Sequence, residues 1–157
     1  MKTSLFLLRV GLGCLFLYAG ISKLMDPAWS AAGYLNNAST FPGLYHWFAS
    51  PQNLGLVNML NEWGLTLIGA ALILGVLVQW ASIGGILMML LYYFPVLQFP
   101  YVPSGHAFIV DDHIIFILVL AVLAKYEAGK SYGLDMYIGK KDSTTSPTPV
   151  SPTPVGV

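Results

Sequence analysis

From Leu5 to Leu24 the chain stays apolar for about the ~20 residues that one bilayer crossing needs, interrupted chiefly by Arg9. The run is longer than the apolar region of a secretory leader, so it reads as a retained first helix, roughly Ser4 to Leu24. Three more apolar runs follow: Asn61 to Val78, Trp80 to Phe99, and Phe108 to Tyr126. In hydrocarbon every backbone N–H and C=O must be satisfied within the protein. Runs so rich in Leu, Ile and Ala do this as helices. The expected fold is all-α, an integral membrane four-helix bundle with an extracytoplasmic aromatic loop.

Charge supports that class. Only 9% of the 157 residues are charged, against about 25% in a soluble domain. Net charge is zero, which leaves no electrostatic case for a nucleic-acid partner. The lone cysteine, Cys14, excludes an internal disulfide and a Cys-ligated metal cluster. Lying mid-run, it is expected to be a buried thiol.

The second and third runs are nearly continuous, with only Gly75 to Ser82 available for a turn centred on Gln79 and Trp80. One helix of that length would be about twice a bilayer span at ~1.5 Å per residue, so a tight hairpin is expected. Pro95 kinks or ends the third helix. Glycines at 64, 69, 75, 84 and 85 suit close packing of membrane helices. The second run holds no strict GxxxG pair, and no specific crossing motif is read from it.

Two connections remain. Met25 to Leu60 carries Trp29, Tyr34, Phe41, Tyr45, Trp47 and Phe48, residues that favour the membrane interface. Within it, Trp29 to Asn36 is expected as a short interfacial helix. Pro100 to Gly105 forms the second connection. Residues 1–140 read as one membrane domain, and 141–157 as a disordered Ser/Thr/Pro-rich tail. Lys2, Arg9, Lys125, Lys130, Lys140 and Lys141 gather towards the chain ends. The positive-inside rule then puts both termini in the cytoplasm and the aromatic loop outside. Asn37-Ala38-Ser39 is a glycosylation sequon on that outer side.

The charges near the helices are the chemical signal. The purely apolar part of the fourth run, Ile114 to Ala124, would span only about 17 Å, against a hydrocarbon core of ~30 Å. The helix must therefore draw Asp112 and His113 below the interface. A carboxylate at a helix centre costs about 2.5–3.5 kcal/mol, so Asp112 is expected to face the interior and find a partner. Lys23 ends the first helix at the same level, and Glu62 begins the second. Lys23, Glu62, Asp112 and His113 thus form a candidate catalytic layer. It suits proton handling or the binding of an anion or quinone head group. A Lys23–Glu62 ion pair is the structural alternative. Asp111 is read as helix N-terminal charge. Arg9 is read as structural, snorkelling or pairing with Glu127. His46 and His106, scattered in loops, make no haem or metal site with His113.

Several segments together resemble one family. LLRVGLGCLFLYAGISKLMDP (Leu7 to Pro27) resembles the opening of DoxX-type membrane proteins: an early Arg, small residues mid-helix and a Gly-x-x-Lys ending. Asn61 to Tyr93 is similar to that family's central hairpin, DDHIIFILVLAVLA to its last helix, and YGLD (Tyr132 to Asp135) to its close. WSAAGYLNNA from Trp29 looks most like the DoxD branch. The resemblance covers about residues 4 to 138 and implies the small membrane subunit of a thiosulfate:quinone oxidoreductase. Such a subunit passes electrons from thiosulfate, which becomes tetrathionate, to membrane quinone on the outer face. The resemblance also implies a DoxA-like partner subunit, and a homo-oligomer is compatible with it. No flavin, haem or iron–sulfur motif is present, so quinone enters only as the electron acceptor. The alternative is a non-enzymatic membrane scaffold or assembly factor. A transporter fits less well, because repeat halves are lacking.

Overall fold

A computed structural model describes residues 2–102 and 107–138. His106, Lys140, Lys141 and the predicted tail lie outside them. The described part is mainly helical: α1 (Lys2–Leu24), α2 (Ala32–Asn36), α3 (Pro42–Phe48), α4 (Leu54–Leu74), α5 (Val78–Val96), α6 (Asp112–Lys125) and α7 (Asp135–Ile138). A single 3-10 turn covers Ala128–Lys130. Among the described residues, α1, α4 and α5 are long and apolar enough to cross a membrane. α6 has 14 residues, about 21 Å of helix.

Several expected boundaries move for local reasons. α4 begins at Leu54 rather than Asn61, because Leu54 to Leu60 extend the helix back into the aromatic connection, with Asn53 as its N-cap. The α4–α5 turn is tighter and earlier than expected: Gln79 and Trp80, expected at its centre, lie inside α5. Gly75 takes a left-handed conformation (φ 70°) that ends α4, and α5 starts three residues later. Pro95 lies in the last turn of α5 and marks its end. The segment after α5 is not simply irregular: Tyr101–Val102 (β1) and Ala107–Phe108 (β2) pair antiparallel.

The closest helix pairs are α1 with α4 and α5 with α6. The first rests on glycines divided between the two helices. A Cβ added at Gly13 would lie 3.1 Å from the Gly69 carbonyl oxygen. One added at Gly20 would lie 2.5 Å from the Thr66 amide nitrogen, and one at Gly69 2.7 Å from Leu17 Cα. The backbones themselves are therefore in contact, as small residues allow where no hydrophobic force separates protein from lipid. Gly69→Leu is expected to destabilise the bundle by at least the 1–3 kcal/mol typical of overpacking, because main chain must move. Gly11 on α1 has open space at its Cβ position, so Gly11→Ala is expected to be neutral. Loss of monodisperse protein on heating in detergent distinguishes the two, and equal behaviour would refute the close crossing.

The core follows from this packing. Leu12 and Phe16 of α1, Leu65 and Leu72 of α4, Met89 of α5, and Leu120 and Leu123 of α6 form one buried cluster. Phe16 meets Phe116 edge-on, centroids 6.2 Å apart. Leu7, Leu67, Trp80, Leu87 and Leu118 point outward, giving the apolar exterior that a lipid environment demands. Cys14 is exposed on this exterior, not buried, because α1 presents its other face to α4. A second, smaller cluster joins α2 and α3 to the bundle through Ala31, Leu35, Ala38 and Tyr45. The end carrying α2, α3 and the β-hairpin is the loop end; the end carrying Lys2 and Asp135 is the terminal end.

Candidate functional site

At the loop end, the start of α6 is built around Asp111. Its backbone is extended, and its Oδ1 accepts from the Ile114 amide at 3.2 Å, an ordinary N-cap. Its other oxygen, Oδ2, lies 2.6 Å from His113 Nδ1. The Asp111 side chain is 7% exposed and that of His113 26%, so the pair is shielded but reachable. The carboxylate accepts, so the pairing puts a proton on Nδ1 and turns Nε2 to other neighbours. A carboxylate commonly orients an imidazole in this way.

The His113 ring meets Tyr92 of α5 edge-on, centroids 6.1 Å apart. The Tyr92 hydroxyl donates to Asn61 Oδ1 on α4, and Asn61 Nδ2 donates to the Val57 carbonyl at 2.8 Å. Tyr34 of α2 donates to the Tyr92 carbonyl, and Tyr45 of α3 to the Leu91 carbonyl at 3.1 Å. Burial, then the neighbouring Tyr45 and Asp111, pushes the Tyr34 hydroxyl up to about 12. It therefore stays protonated across the physiological range. Tyr93 donates to the Ile109 carbonyl at 2.5 Å, fixing the approach to α6. The result is a polar belt across α4, α5 and α6, bordering an apolar cavity of about 350 Å³ that Asn61 and Tyr92 help to line.

The layer expected from sequence is only partly assembled. His113 belongs to the belt. Asp112, expected to face inward, is exposed, because the cap geometry turns Asp111 inward in its place. Lys23 makes no ion pair with Glu62 among the described residues. Its Nζ donates to the Ala19 carbonyl at 3.2 Å and lies 5.4 Å from the centroid of Trp29. Glu62 is half-buried, and its backbone carbonyl accepts from Thr66 Oγ1. His46 is exposed and hydrogen-bonds the Asn36 carbonyl at 3.2 Å. Asn37, the sequon residue, is exposed and donates to the Gly33 carbonyl. Among the described residues, no three His, Cys, Asp or Glu side chains converge as a metal site. Sequence reasoning placed Asp111 at the start of the helix, where it caps α6, but missed its pairing with His113, and it missed Asn61 and Tyr92. For Asp111 a signal existed: Asp-x-His at a helix start lets one carboxylate both cap the helix and orient the ring. Asn61 and Tyr92 sit in apolar runs, where nothing singles them out.

A second polar cluster lies at the terminal end. Arg9 is fully buried. Its Nη1 donates to the Ala128 carbonyl at 2.8 Å and its Nη2 to the Tyr132 carbonyl at 3.2 Å. Its guanidinium carbon lies 5.5 Å from the Phe6 centroid. Neither snorkelling nor Glu127 accounts for it, since Glu127 pairs with Lys130 at 2.7 Å. Asp135 supplies the nearby negative charge, and its two oxygens accept from the Leu77 and Val78 amides at the start of α5. Gly75 and Gly133 flank the guanidinium: a Cβ at Gly75 would lie 2.8 Å from Arg9 Cζ. This cluster joins α1, the α4–α5 turn and the segment after α6.

A family model described as DoxX matches residues 4–97, from α1 through α5, and ends before Asp111. Neither the curated proteins nor the solved structures gave a match.

Proposed function

The chain belongs to the DoxX family, and from that premise we propose that it is the membrane subunit of a thiosulfate:quinone oxidoreductase-like complex. It crosses the membrane four times with both termini in the cytoplasm, α6 completing the last crossing between the Asp111–Asp112 start and Lys125. The loop end then faces outside. A DoxA-like partner presents thiosulfate there. Two thiosulfate ions join as tetrathionate and release two electrons, and the quinone takes up those electrons with two protons.

The observation that carries this reading is the Asp111–His113 pair set edge-on to Tyr92, whose hydroxyl reaches Asn61 at an apolar cavity. An imidazole whose Nδ1 is held by a carboxylate can pass a proton through Nε2, and reduction of a quinone carbonyl consumes protons. His113 is the proton donor, and Asp111 its positioning residue. Asp112, Glu62 and Lys23, expected as catalytic from sequence, lie in the same loop-end region and take supporting electrostatic roles.

The test is thiosulfate-dependent reduction of a quinone analogue by protein isolated gently from its native membrane with its partners attached. Reduction well above a thiosulfate-free control is expected. A preparation whose co-purifying subunits are identified and intact, yet which reduces nothing, would overturn the proposal in favour of the scaffold.

A further inference from the structure

The cavity between α4 and α5 has the features of a two-sided site. Its volume, about 350 Å³, lies at the small end of ligand sites. Its walls are apolar and aromatic, including Tyr45 and Phe48 on the α3 side. Gly64 and Gly84 both line it, so neither helix fills the gap with a side chain. Leu60 and Leu87 also line it, and they are 57% and 60% exposed on the apolar exterior. The cavity therefore opens towards hydrocarbon. Its polar side chains are those of the belt, Asn61 and Tyr92 with Tyr34 and Tyr45, whose hydroxyls are given to the Tyr92 and Leu91 carbonyls. Tyr34 is its wall on the loop side and also lines a separate open pocket of about 330 Å³ with Asn37, Ser39 and Gln98. One face thus meets lipid, and the other lies a single side chain from polar surroundings.

We propose that this cavity is the binding site for the ring of a lipid-chain quinone. The ring sits among the aromatic walls, a carbonyl accepts from the second Nδ2–H of Asn61, the first being given to the Val57 carbonyl, and the tail leaves between Leu60 and Leu87. The identity of the occupant rests on the quinone reading above. The pairing of apolar mouth with polar, aromatic end is what an amphiphile with a flat polar head requires. This placement puts the head group one ring, Tyr92, from His113.

Gly84→Leu tests it. A Cβ at Gly84 would lie 3.6 Å from Ile68 Cδ1, an ordinary contact, so this lining position accepts a side chain's first carbon without displacing backbone, and the bulk added there takes up cavity space. The probe is a decyl-substituted benzoquinone, and the readout is equilibrium binding to the intact complex in nanodiscs. Affinity is expected to fall by about tenfold or more, equivalent to about 1.4 kcal/mol. Leu7→Phe, on the exposed face of α1, a helix that lines no part of the cavity, is expected to match wild type. Equal binding by Gly84→Leu and wild type would overturn the cavity assignment while leaving the quinone reading standing. No binding by wild type would overturn both. A photoreactive version of the same quinone, used on wild type alone, gives an answer independent of any variant. Adducts on Asn61, Tyr92 or their cavity neighbours support the site, and adducts confined to other segments overturn it.

Discussion

Arg9→Leu is expected to remove most of the stability of the bundle. The guanidinium is fully buried and bonds two backbone carbonyls, those of Ala128 and Tyr132. Both are left without this donor when it goes, and Asp135 loses its neighbouring positive charge. Breaking a buried charged arrangement from one side costs about 3–5 kcal/mol, a large share of the 5–15 kcal/mol that holds a typical protein folded. Arg9→Lys is expected to fall between, because an ammonium lacks the planar fork that serves two carbonyls at once. Asp135→Asn is expected to be damaging as well, since its carboxylate also receives the Leu77 and Val78 amides. Glu127→Gln provides the contrast. Glu127 and Lys130 are more than half exposed, at 58% and 57%, and exposed pairs contribute about 0–1 kcal/mol. Thermal unfolding in detergent ranks the four variants. Glu127→Gln proving as harmful as Asp135→Asn would contradict the terminal-end cluster as described.

The second large effect concerns turnover. His113→Phe is expected to lower quinone reduction about 100-fold or more, within the 10²–10⁴ range for a positioned acid or base. The ring shape, and with it the edge-on contact to Tyr92, is largely retained. Asp111→Asn isolates the pairing itself. Asparagine caps a helix as well as aspartate does, so α6 still starts in place. What is lost is the negative acceptor that fixes the imidazole tautomer. Turnover is expected to fall with assembly unchanged, and the pH profile of the reaction to change shape, which a purely structural role for Asp111 would not produce. Asp112→Asn, at an exposed position, is expected to stay within about twofold of wild type, well under the ~1.4 kcal/mol that a tenfold change represents. A larger loss in Asp112→Asn than in Asp111→Asn would reinstate the inward-facing Asp112 expected from sequence.

That exchange between neighbours shows where sequence stopped being informative. Apolar run length placed α1, α4 and α5, because bilayer thickness fixes helix length and few other signals compete. It also located the polar start of α6. It did not resolve which of two adjacent aspartates turns inward, since residues about 100° apart on a helix are separated by rotation, and a cap decides the rotation. Arg9 was legible as structural but its partners were not: the carbonyls of Ala128 and Tyr132 lie well over a hundred residues away, and carbonyls leave no mark in sequence. The YGLD close has a physical account once the fold is known. Gly133 lets the chain pass beside the guanidinium, and Asp135 caps α5. The α1–α4 crossing was missed because its glycines, Gly13, Gly20 and Gly69, are shared across two helices instead of forming a motif on one. The Asn61–Tyr92 bond required the pairing of α4 with α5, which the tight Gly75–Leu77 turn sets.

The most direct measurement of the functional account is product stoichiometry in the intact complex, reconstituted with quinone and supplied with thiosulfate. One quinol is expected for each tetrathionate formed, and both yields are expected to drop together in His113→Phe. Tetrathionate formed without quinol, or quinol output unaffected by His113→Phe, would contradict the assignment of this chain as the quinone-reducing membrane subunit.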